Sequence, residues 1–458
     1  MIPLGALPDR PYAVLGLGRS GRAAAKALLA VGRTVWAWDD NEGARAVAAA
    51  EGLPIVDPAQ RDLSGSAALV LSPGIPHTFP EPHPVVARAR AASIEVIGDV
   101  ELLFRSQPRA TFVGVTGTNG KSTTTALIGH ILTVAGADIR VGGNLGPPVL
   151  AFDAFDAKTV CVLEMSSYQL ELTPSLVFNV AVLLNISPDH LGRHGGMDGY
   201  IAAKRRIFAG APPGATAVIG VDDAHCRSLC TAVSQEGRHR VLVVSGQRRV
   251  GGGVFAQDGL LWDAIEGDAE PVLYLREARA LPGTHNAQNL AAAYVVVRTL
   301  GVDIDVVERA IRDFPGLAHR QERIAELGGI TFVNDSKATN GEAAARALSS
   351  YENIYWIAGG RPKEDGLAAV QPWLGRVRHA FLIGEAEDSF ARQLEGKVPV
   401  SRCGTLDRAF AAALATAEAD RTRGALVLLS PACASFDQFP NFEARGEAFR
   451  AMVEAISK

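Results

Sequence analysis

The chain has 458 residues, 48% of them hydrophobic and 21% charged, which excludes a single core and predicts about three globular domains. The formal net charge of −4 excludes the overall positive field of a nucleic-acid-binding protein, so we expect no nucleic-acid partner. No apolar stretch reaches membrane-spanning length and no basic segment followed by an apolar run opens the chain, so we expect neither membrane insertion nor a signal peptide.

The cysteines favour a cytoplasmic protein with reduced thiols, because their number is odd and their spacing shows no paired framework. Cys226 and Cys230 follow His225 at a spacing that is a weak signal for zinc, and ordinary thiols are the favoured interpretation. We therefore expect a cytoplasmic location.

Short apolar runs with strand character alternate with alanine-rich helical stretches along almost the whole chain. The predicted strands cover residues 12–15, 34–38, 67–71, 110–115, 159–163, 180–185, 217–219, 331–333, 354–357, 380–383 and 425–429. The predicted helices cover residues 19–31, 122–135, 200–208, 287–300, 341–348 and 406–417. Alternation of this kind predicts an α/β fold, in which parallel sheets carry helices on both faces.

Two polar breaks divide the predicted elements into three series. Residues 105–109 precede a second series, and residues 314–320 precede a third. We therefore expect domains at 1–107, 108–317 and 318–458. The segment 245–282 is rich in glycine and charge, with short strand-like pieces, and is predicted to be a small β insertion in the middle domain.

The first predicted strand runs into a glycine loop at residues 16–21, Gly-Leu-Gly-Arg-Ser-Gly, that opens a helix. Asp39 and Asp40 end the next strand about 20 residues later, the position of a ribose-binding acid in dinucleotide sites. Taken alone, this pattern favours NAD. Residues 72–76 close the third strand at the same edge and form either a ligand loop or a plain Pro-Gly turn. The candidate ligand-binding residues are Gly18, Arg19, Ser20, Asp39, Ser72, Pro73 and Gly74.

The strand at 110–115 runs into Gly-Thr-Asn-Gly-Lys-Ser at residues 117–122, a phosphate loop that opens a helix. Glycines let backbone N–H groups converge on phosphate oxygens, the lysine neutralises the outer phosphates, and the hydroxyl can bind Mg²⁺. Val115 stands where the strict Walker A pattern has glycine, and the alternative is an ordinary turn with a chance lysine. We predict ATP or GTP binding by Gly117, Thr118, Asn119, Gly120, Lys121, Ser122 and Thr123.

Several polar residues of the middle domain follow predicted strands or open predicted helices. Glu164 follows a strand downstream of the phosphate loop, where a Mg²⁺ ligand belongs. His190 is either a second metal ligand or a polar loop residue, and Lys204 lies in a cationic helix run that by itself indicates a solvated face. Asn286 and Asn289 share a helix face, which suits either purine or ribose binding or helix capping.

Three polar loops of the third domain follow predicted strands, so they should meet at the carboxyl edge of one sheet. They cover residues 334–340, 359–363 and 430–439 and carry two lysines and several hydroxyls. We expect a pocket for a small anionic molecule there, and the alternative is three unrelated loops. The candidate residues are Lys337, Thr339, Lys363 and Ser435.

Together, these motifs resemble the Mur ligase family across essentially the whole chain. The matching segments, in order, are 117–122, 164–167, 189–191, the helix around Lys204, 285–289 and 319–320. The resemblance implies a Rossmann-like N-terminal domain that binds a uridine diphosphate instead of NAD, a central ATPase domain and a Rossmann-like C-terminal domain. Two departures from the family pattern are Gly192 and Arg361.

Residues 334–340 and 429–442 resemble the family branch that adds D-glutamate to UDP-N-acetylmuramoyl-L-alanine in peptidoglycan synthesis. This resemblance implies a monomeric, ATP-driven amide ligase that works through an acyl phosphate and has small molecules as its partners. It adds Asn144 to the residues that contact the uridine substrate. It implies that D-glutamate is bound by Lys337, Thr339, Lys363, Ser435, Phe436 and Phe442.

The resemblance also implies two Mg²⁺ ions. Ser122 and Glu164 would hold one, and His190 and Lys204 the other. Because an ammonium group cannot bind a cation, Lys204 would be carbamylated, which changes its charge from +1 to −1. The catalytic residues implied are Lys121, Glu164, His190 and Lys204. The further ATP-binding residues implied are Asn286, Asn289, Arg320 and Asp335.

Three other functions are compatible with parts of the sequence. The loop at 16–21 allows a nicotinamide oxidoreductase, which NADH binding would reveal. The loop at 117–122 allows a nucleotide-dependent switch or transport regulator, which product analysis after incubation with ATP would separate from a ligase. A folylpolyglutamate synthase, or a Mur ligase that adds a different residue, would share the ligase chemistry.

Overall fold

The computed structural model describes residues 2–281, 283, 285–362 and 366–457, with His285 described by its backbone alone. The described strands form three sheets of four, nine and six strands. The chain divides into two compact units, Met1–Glu277 with Thr284–Asp313, and Ala278–Gly283 with Phe314–Lys458. Among the helices in the described ranges, none has the length and apolar composition needed to cross a membrane.

The N-terminal sheet belongs to the first unit and has the strand order β2-β1-β3-β4, with every pair parallel. β2 and β3 lie on opposite sides of β1, so the loops after β1 and β3 are neighbours at the carboxyl edge of the sheet. Its strands are β1 (Tyr12–Leu15), β2 (Val35–Trp38), β3 (Ala68–Leu71) and β4 (Val96–Ile97). Its helices are α1 (Arg19–Ala30), α2 (Glu42–Ala50), α3 (Pro84–Ala91) and α4 (Asp99–Ser106).

The central sheet belongs to the same unit and has the order β13-β12-β11-β10-β9-β8-β5-β7-β6. Its strands are β5 (Thr111–Thr116), β6 (Ile139–Gly143), β7 (Val160–Glu164), β8 (Val180–Leu183), β9 (Thr216–Gly220), β10 (Arg240–Ser245), β11 (Gly253–Gln257), β12 (Leu260–Ala264) and β13 (Glu270–Tyr274). Its helices are α5 (Lys121–Val134), α6 (Ser167–Glu171), α7 (Leu191–His194), α8 (Met197–Arg205), α9 (Ala224–Glu236), α10 (His285–Thr299) and α11 (Ile304–Asp313).

The phosphate loop and the predicted β insertion occupy different parts of this sheet. β5 lies between β7 and β8 in the parallel part, so the loop after β5 emerges among three buried strands. The β insertion is confirmed as β11 to β13. It is continuous with the central sheet, because β11 pairs with β10 in parallel and β12 and β13 follow as an antiparallel edge.

The C-terminal sheet belongs to the second unit and has the order β14-β15-β19-β16-β17-β18, parallel except for the first pair. Apolar clusters cover both of its faces, as expected for a doubly wound sheet. Its strands are β14 (Glu322–Leu327), β15 (Ile330–Asn334), β16 (Ile354–Gly359), β17 (Val377–Ile383), β18 (Val400–Gly404) and β19 (Leu426–Leu429). Its helices are α12 (Gly341–Ser350), α13 (Glu387–Leu394), α14 (Leu406–Asp420) and α15 (Phe442–Ile456).

The predicted strands and helices are confirmed, with ends that differ by up to three residues. Strands β4, β6, β10, β14 and β18 escape prediction. Charged residues or glycine interrupt the apolar patterns of β6, β14 and β18, and β4 has only two residues, whereas β10 is a continuous apolar run between Arg240 and Ser245. The α/β fold class with parallel-rich sheets is confirmed as well. The domain bounds at residues 107 and 317 stay predictions.

Candidate active site

The phosphate loop links the buried end of β5 to the first turn of α5. Gly120 caps this helix at a φ of +83°, a left-handed conformation that favours glycine. A Cβ atom at Gly120 would lie 2.1 Å from Oδ1 of Asn289, so helix α10 leaves no room for a side chain there. The first N–H groups of α5 are therefore presented beside α10, in the arrangement that binds phosphate groups.

Asn185, just after β8, holds the phosphate loop. Its backbone oxygen accepts from the N–H of Thr118, and its Oδ1 accepts from the N–H of Asn119, both at 2.8 Å. Its Nδ2 donates to Oε1 of Gln288 at 3.1 Å, which ties the loop to α10. The asparagine after an apolar strand was a visible signal, but only the fold shows its partners.

The two candidate lysines converge on the loop. Nζ of Lys121 donates to the oxygens of Gly117 at 2.9 Å and Thr118 at 3.0 Å, and Nζ of Lys204 donates to the same Gly117 oxygen at 2.8 Å. Lys204 is only 1% exposed, so its interpretation as part of a solvated face is wrong, whereas the adjacent Arg205 is exposed. Burial, and then the charge of Lys121, lower the pKa of Lys204 to about 7.

Glu164, at the end of β7, brings a buried carboxylate to the same region. Its Oε1 accepts from Nδ2 of Asn144 at 2.8 Å, whereas its Oε2 is buried without a hydrogen-bond partner among the described residues. Ser122 and Thr123 are buried in the first turn of α5. An orphaned carboxylate oxygen and hydroxyl groups are hard oxygen ligands, so this donor set fits Mg²⁺.

Within the described ranges, no group of three or more histidine, cysteine, aspartate or glutamate side chains has an arrangement that could hold a metal ion. The predicted Mg²⁺ ligands do not require such a cluster, because Glu164 and His190 are the only carboxylate or histidine residues among them. Hydroxyl, phosphate and carbamate oxygens would have to complete the coordination.

His190 lies in a left-handed conformation at the start of α7, with φ of +52°. Its side chain is 54% exposed, its Nε2 is 3.5 Å from Asp189, and its ring centroid is 5.3 Å from that of Tyr168. Partial burial lowers the pKa of His190; the charge of Asp189 opposes this shift, and the charges of Lys121 and Lys204 add to it. His190 therefore lies within the electrostatic influence of both lysines, whose charges suit a polyanion such as a nucleoside triphosphate.

In the N-terminal sheet, the two candidate loops contact each other. Ser72 Oγ donates to the oxygen of Gly16 at 3.0 Å. Asp39 accepts from the N–H groups of Leu17 at 2.7 Å and Asn41 at 2.9 Å, so its carboxylate organises the glycine loop. Its contact with a ribose stays a prediction. Other candidates lie at the same edge, where Gly18 caps α1 and Nη2 of Arg19 lies 3.4 Å from the backbone oxygen of Gly146. A small cavity there is lined in part by Ser20, Ser72, Pro73 and Asp99.

In the second unit, Asp335 is fully buried after β15. Its Oδ2 accepts from Ser430 Oγ at 2.7 Å and its Oδ1 from the N–H of Gln321 at 3.1 Å. Burial raises the pKa of Asp335 to about 7, while the charge of Arg320 favours its ionised form. Two of the three predicted polar loops therefore meet at this edge through a side-chain hydrogen bond.

The candidate amino-acid residues lie on these loops. Nζ of Lys337 lies 5.7 Å from the ring centre of Phe442, the first residue of α15. Thr339 is half-buried two residues further along the same loop, Ser435 is buried, and Phe436 is 62% exposed. Lys363 lies outside the described residues, and the neighbouring departure, Arg361, pairs with Glu385 at 3.2 Å.

Arg445 joins these loops and was missed by the sequence reasoning, because nothing in its neighbourhood of α15 marks it. It is 1% exposed. Its guanidinium donates to Oγ and the backbone oxygen of Ser336 at 3.0 and 2.9 Å, and to the oxygens of Cys433 at 3.0 Å and Ala434 at 3.4 Å. Burial lowers the pKa of Arg445 to about 10.

Family models match both units of the chain. The Mur ligase middle domain model matches residues 115–297, and the model of the glutamate ligase domain of Mur ligases matches residues 319–433. The first match includes the phosphate loop, Glu164, Lys204 and most of α10, and the second includes Asp335 and ends at Cys433.

Curated relatives match over the full chain. The chain is 50% identical to the UDP-N-acetylmuramoylalanine--D-glutamate ligase of Caulobacter sp. (strain K31), with coverage of 100% of this chain and 99% of that protein. It is also 50% identical to the protein of the same name from Rhodospirillum rubrum, with coverage of 100% and 97%. The relative of that name from Rhizobium etli is 47% identical.

Solved structures share the fold at lower sequence identity. The UDP-N-acetylmuramate-alanine ligase MurC of Thermotoga maritima superposes with a TM-score of 0.57 at 16% identity, covering 98% of this chain and all of that one. The MurF ligase of the same organism, solved in complex with ADP, gives a TM-score of 0.55 at 19% identity, covering 85% and 90%. These similarities support the three-sheet α/β architecture.

Proposed function

The chain belongs to the Mur ligase family, and we propose that it is the ATP-dependent ligase that adds D-glutamate to UDP-N-acetylmuramoyl-L-alanine. The observation that carries the proposal is the 50% identity, over the whole chain, to curated proteins with this activity in their name. We place the reaction in cytoplasmic peptidoglycan precursor synthesis and expect a monomeric enzyme.

The reaction couples two steps. The free carboxylate of the acceptor's L-alanine attacks the γ-phosphorus of ATP and forms an acyl phosphate, with ADP as the leaving group. The amine of D-glutamate then attacks the acyl carbon, and the tetrahedral intermediate loses inorganic phosphate and a proton to leave the amide. Both steps bring anions together, so the site must neutralise charge and exclude water.

The nucleotide is held by the loop at 117–122, with Lys121 neutralising the outer phosphates. Support comes from the N-terminus of α5, which has no side-chain cap, and from the hydrogen bond between Asn185 and α10, the helix that carries Asn286 and Asn289. Arg320 and Asp335, in the second unit, are proposed as further nucleotide-binding residues. We infer that the two asparagines, which bond to each other at 2.9 Å, face the adenosine part.

Two Mg²⁺ ions are part of the proposal. Ser122 and Glu164 would hold one, supported by the buried Oε2 of Glu164 that lacks a partner among the described atoms. His190 and a carbamylated Lys204 would hold the second. Bound there, Mg²⁺ would supply charge neutralisation and orientation for the reacting phosphate and carboxylate oxygens. The pKa of Lys204 near 7 supports carbamylation, because only a neutral amine attacks carbon dioxide.

The acceptor is proposed to lie along the N-terminal sheet edge and reach the central loops. Its diphosphate would meet the N-terminus of α1, where Gly18 caps the helix without a side chain. The loops after β1 and β3, with Asp39 and Ser72, would surround the uridine diphosphate. Asn144, bonded to Glu164, would contact the muramoyl part close to the phosphoryl-transfer site.

D-glutamate is proposed to bind at the carboxyl edge of the C-terminal sheet. Its two carboxylates match the two lysines, Lys337 and Lys363, with Thr339 and Ser435 as further donors. Phe436 and Phe442 would flank its methylene groups. A monoacid would leave one lysine unpaired, which is costly when the pocket closes.

The testing experiment compares D-glutamate, L-glutamate, L-alanine and meso-diaminopimelate as amine substrates with UDP-N-acetylmuramoyl-L-alanine. Phosphate release and the mass of the product are measured together, with Lys121→Ala as the blank. We expect ligation with D-glutamate at least about 100-fold above L-alanine, which lacks the second carboxylate, and above L-glutamate and meso-diaminopimelate as well. Preference for any other amine would disprove the assignment to this branch.

A further inference from the structure

The segment that carries His190 is fastened to the loop after β3, residues 72–80. Nη1 of Arg193 donates to the backbone oxygen of Gly74 at 2.9 Å, and Nη2 donates to that of Ile75 at 3.2 Å. One planar guanidinium thus binds two successive carbonyl groups through two nitrogens at a fixed separation, whereas lysine has a single nitrogen. Arg193 lies on α7, three residues after His190.

A second tie runs through Glu171 at the end of α6. Its Oε2 is 3.4 Å from Nε2 of His77, in the loop 72–80, and its Oε1 is 3.5 Å from Nδ1 of His194, on α7. Both histidines are buried. Burial opposes ionisation of Glu171, but the contacts with His194 and His77 outweigh it and lower its pKa to about 2. By these distances, the Glu171 carboxylate lies between two histidine rings, one from each segment.

A third contact joins the loop 72–80 to the residue that follows α7. Phe79 packs so closely on Gly195 that a Cβ atom at this glycine would be 2.7 Å from the aromatic ring. Gly195 also has a φ of +69°, which favours glycine on conformational grounds. The loop 72–80 therefore contacts α7 or the residue after it by hydrogen bonds, by the Glu171 bridge and by packing.

The Tyr168 ring lies beside both Arg193 and His190. The guanidinium of Arg193 lies 4.9 Å from the centre of the Tyr168 ring, and the His190 ring lies 5.3 Å from it. The ring of His194 also stacks on the Tyr168 ring, with 5.2 Å between the two centroids. Because packed side chains transmit small displacements, movement of Arg193 would change the position of His190.

We propose that Arg193 is a positioning residue, which holds His190 in register with the loop 72–80 so that a bound acceptor presents its carboxylate to the phosphoryl-transfer site. The inference rests on the proposed function, since it needs the acceptor on this loop and His190 beside the phosphates. The bonds of Arg193 to the backbone oxygens of Gly74 and Ile75 would align the acceptor with the phosphoryl-transfer residues. Glu171 and His77 support the same alignment.

The test uses Arg193→Gln and Arg193→Lys, with Arg206→Gln as the matched control. Nε of Arg206 also donates to a backbone oxygen, that of Leu170 at 2.8 Å, but this contact does not involve the loop 72–80. We measure KM for the acceptor, ATP and D-glutamate separately, kcat, the thermal midpoint, and acceptor affinity by calorimetry without the amine.

The expected result is selective. For Arg193→Gln, KM for the acceptor rises and kcat falls, each on the order of 10-fold, as for two lost hydrogen bonds. KM for ATP and D-glutamate stays within about threefold of the wild type. Arg193→Lys shows a similar pattern, Glu171→Gln a weaker one, and Arg206→Gln behaves as the wild type.

Two outcomes would overturn the proposal. One is a folded Arg193→Gln or Arg193→Lys enzyme with unchanged kcat and unchanged acceptor KM and affinity. The other is an equal rise of all three KM values together with a lowered thermal midpoint, which indicates a merely structural role. A wild-type enzyme that fails to ligate D-glutamate contradicts the proposed function instead, and acceptor calorimetry with the variants then still decides the role of Arg193.

Discussion

The ammonium group of Lys204 donates a 2.8 Å hydrogen bond to the backbone oxygen of Gly117, the first residue of the phosphate loop. Lys121, which is half-buried, donates to the same oxygen, so its ammonium group and that of the buried Lys204 share one acceptor. Two like charges in this position repel each other, and neutralising one of them relieves the repulsion. The arrangement predisposes Lys204 to lose its proton.

We predict that Lys204 reacts with carbon dioxide and that the carbamate fraction rises with pH. The pKa of Lys204 is lowered from its ordinary value to about 7, so the reactive neutral amine is scarce below pH 6 and predominates above pH 8. Carbon-13 NMR of enzyme incubated with labelled bicarbonate should show, besides the carbamate of the α-amino group, a Lys204 carbamate signal that grows across this range. Lys204→Arg should lack the signal, and Lys26→Arg, at a half-exposed site, should keep it.

Lys121→Ala should abolish ATP turnover while the protein stays folded. The side chain contacts the loop oxygens of Gly117 and Thr118 and supplies the loop's only side-chain charge. Loss of one such charge-stabilising group lowers kcat by about 10² to 10³. Phosphate release by a variant with a wild-type thermal midpoint is the measurement. Turnover within about threefold of the wild type would remove the loop at 117–122 from the mechanism.

Asn185→Ala should weaken nucleotide binding more than binding of the acceptor. The substitution removes the side-chain bonds to the N–H of Asn119 and to Gln288, so the loop loses its tie to α10. With about 1–3 kcal/mol lost, KM for ATP should rise on the order of 10- to 100-fold. Steady-state kinetics with each substrate varied in turn gives the result. Gln257→Ala, at the exposed end of β11, serves as the control and should leave all values unchanged.

Arg445→Met should destabilise the second unit and raise KM for D-glutamate. It leaves the buried oxygens of Ser336 and Cys433 without their donor, at a cost of about 1–3 kcal/mol each. The thermal midpoint should fall by several degrees. Arg450→Met, on the same helix but in a partly exposed pair with Glu322, should lose about 1 kcal/mol or less. Equal midpoints for the two variants would contradict the importance of the buried guanidinium.

The sequence alone predicted the features that depend on local patterns. Glycine loops after apolar strands identified the N-termini of α1 and α5, because strand periodicity and glycine spacing are short-range signals. Polar residues directly after strands, such as Glu164 and Asp335, were likewise visible. The parallel topology then brings the loops of neighbouring strands to one edge, so the contact between Ser430 and Asp335 followed the expected gathering of loops.

The tertiary structure decided which side chains are buried and what they contact. The helix pattern around Lys204 indicates a solvated face, yet packing of α8 buries this lysine against a loop 87 positions earlier. Arg193, Glu171 and Arg445 have no local signal, because their partners are backbone oxygens or histidines from distant segments. Chain order determines the elements and their loops. Only the three-dimensional packing determines the desolvation and the long-range partners that set the chemistry of these groups.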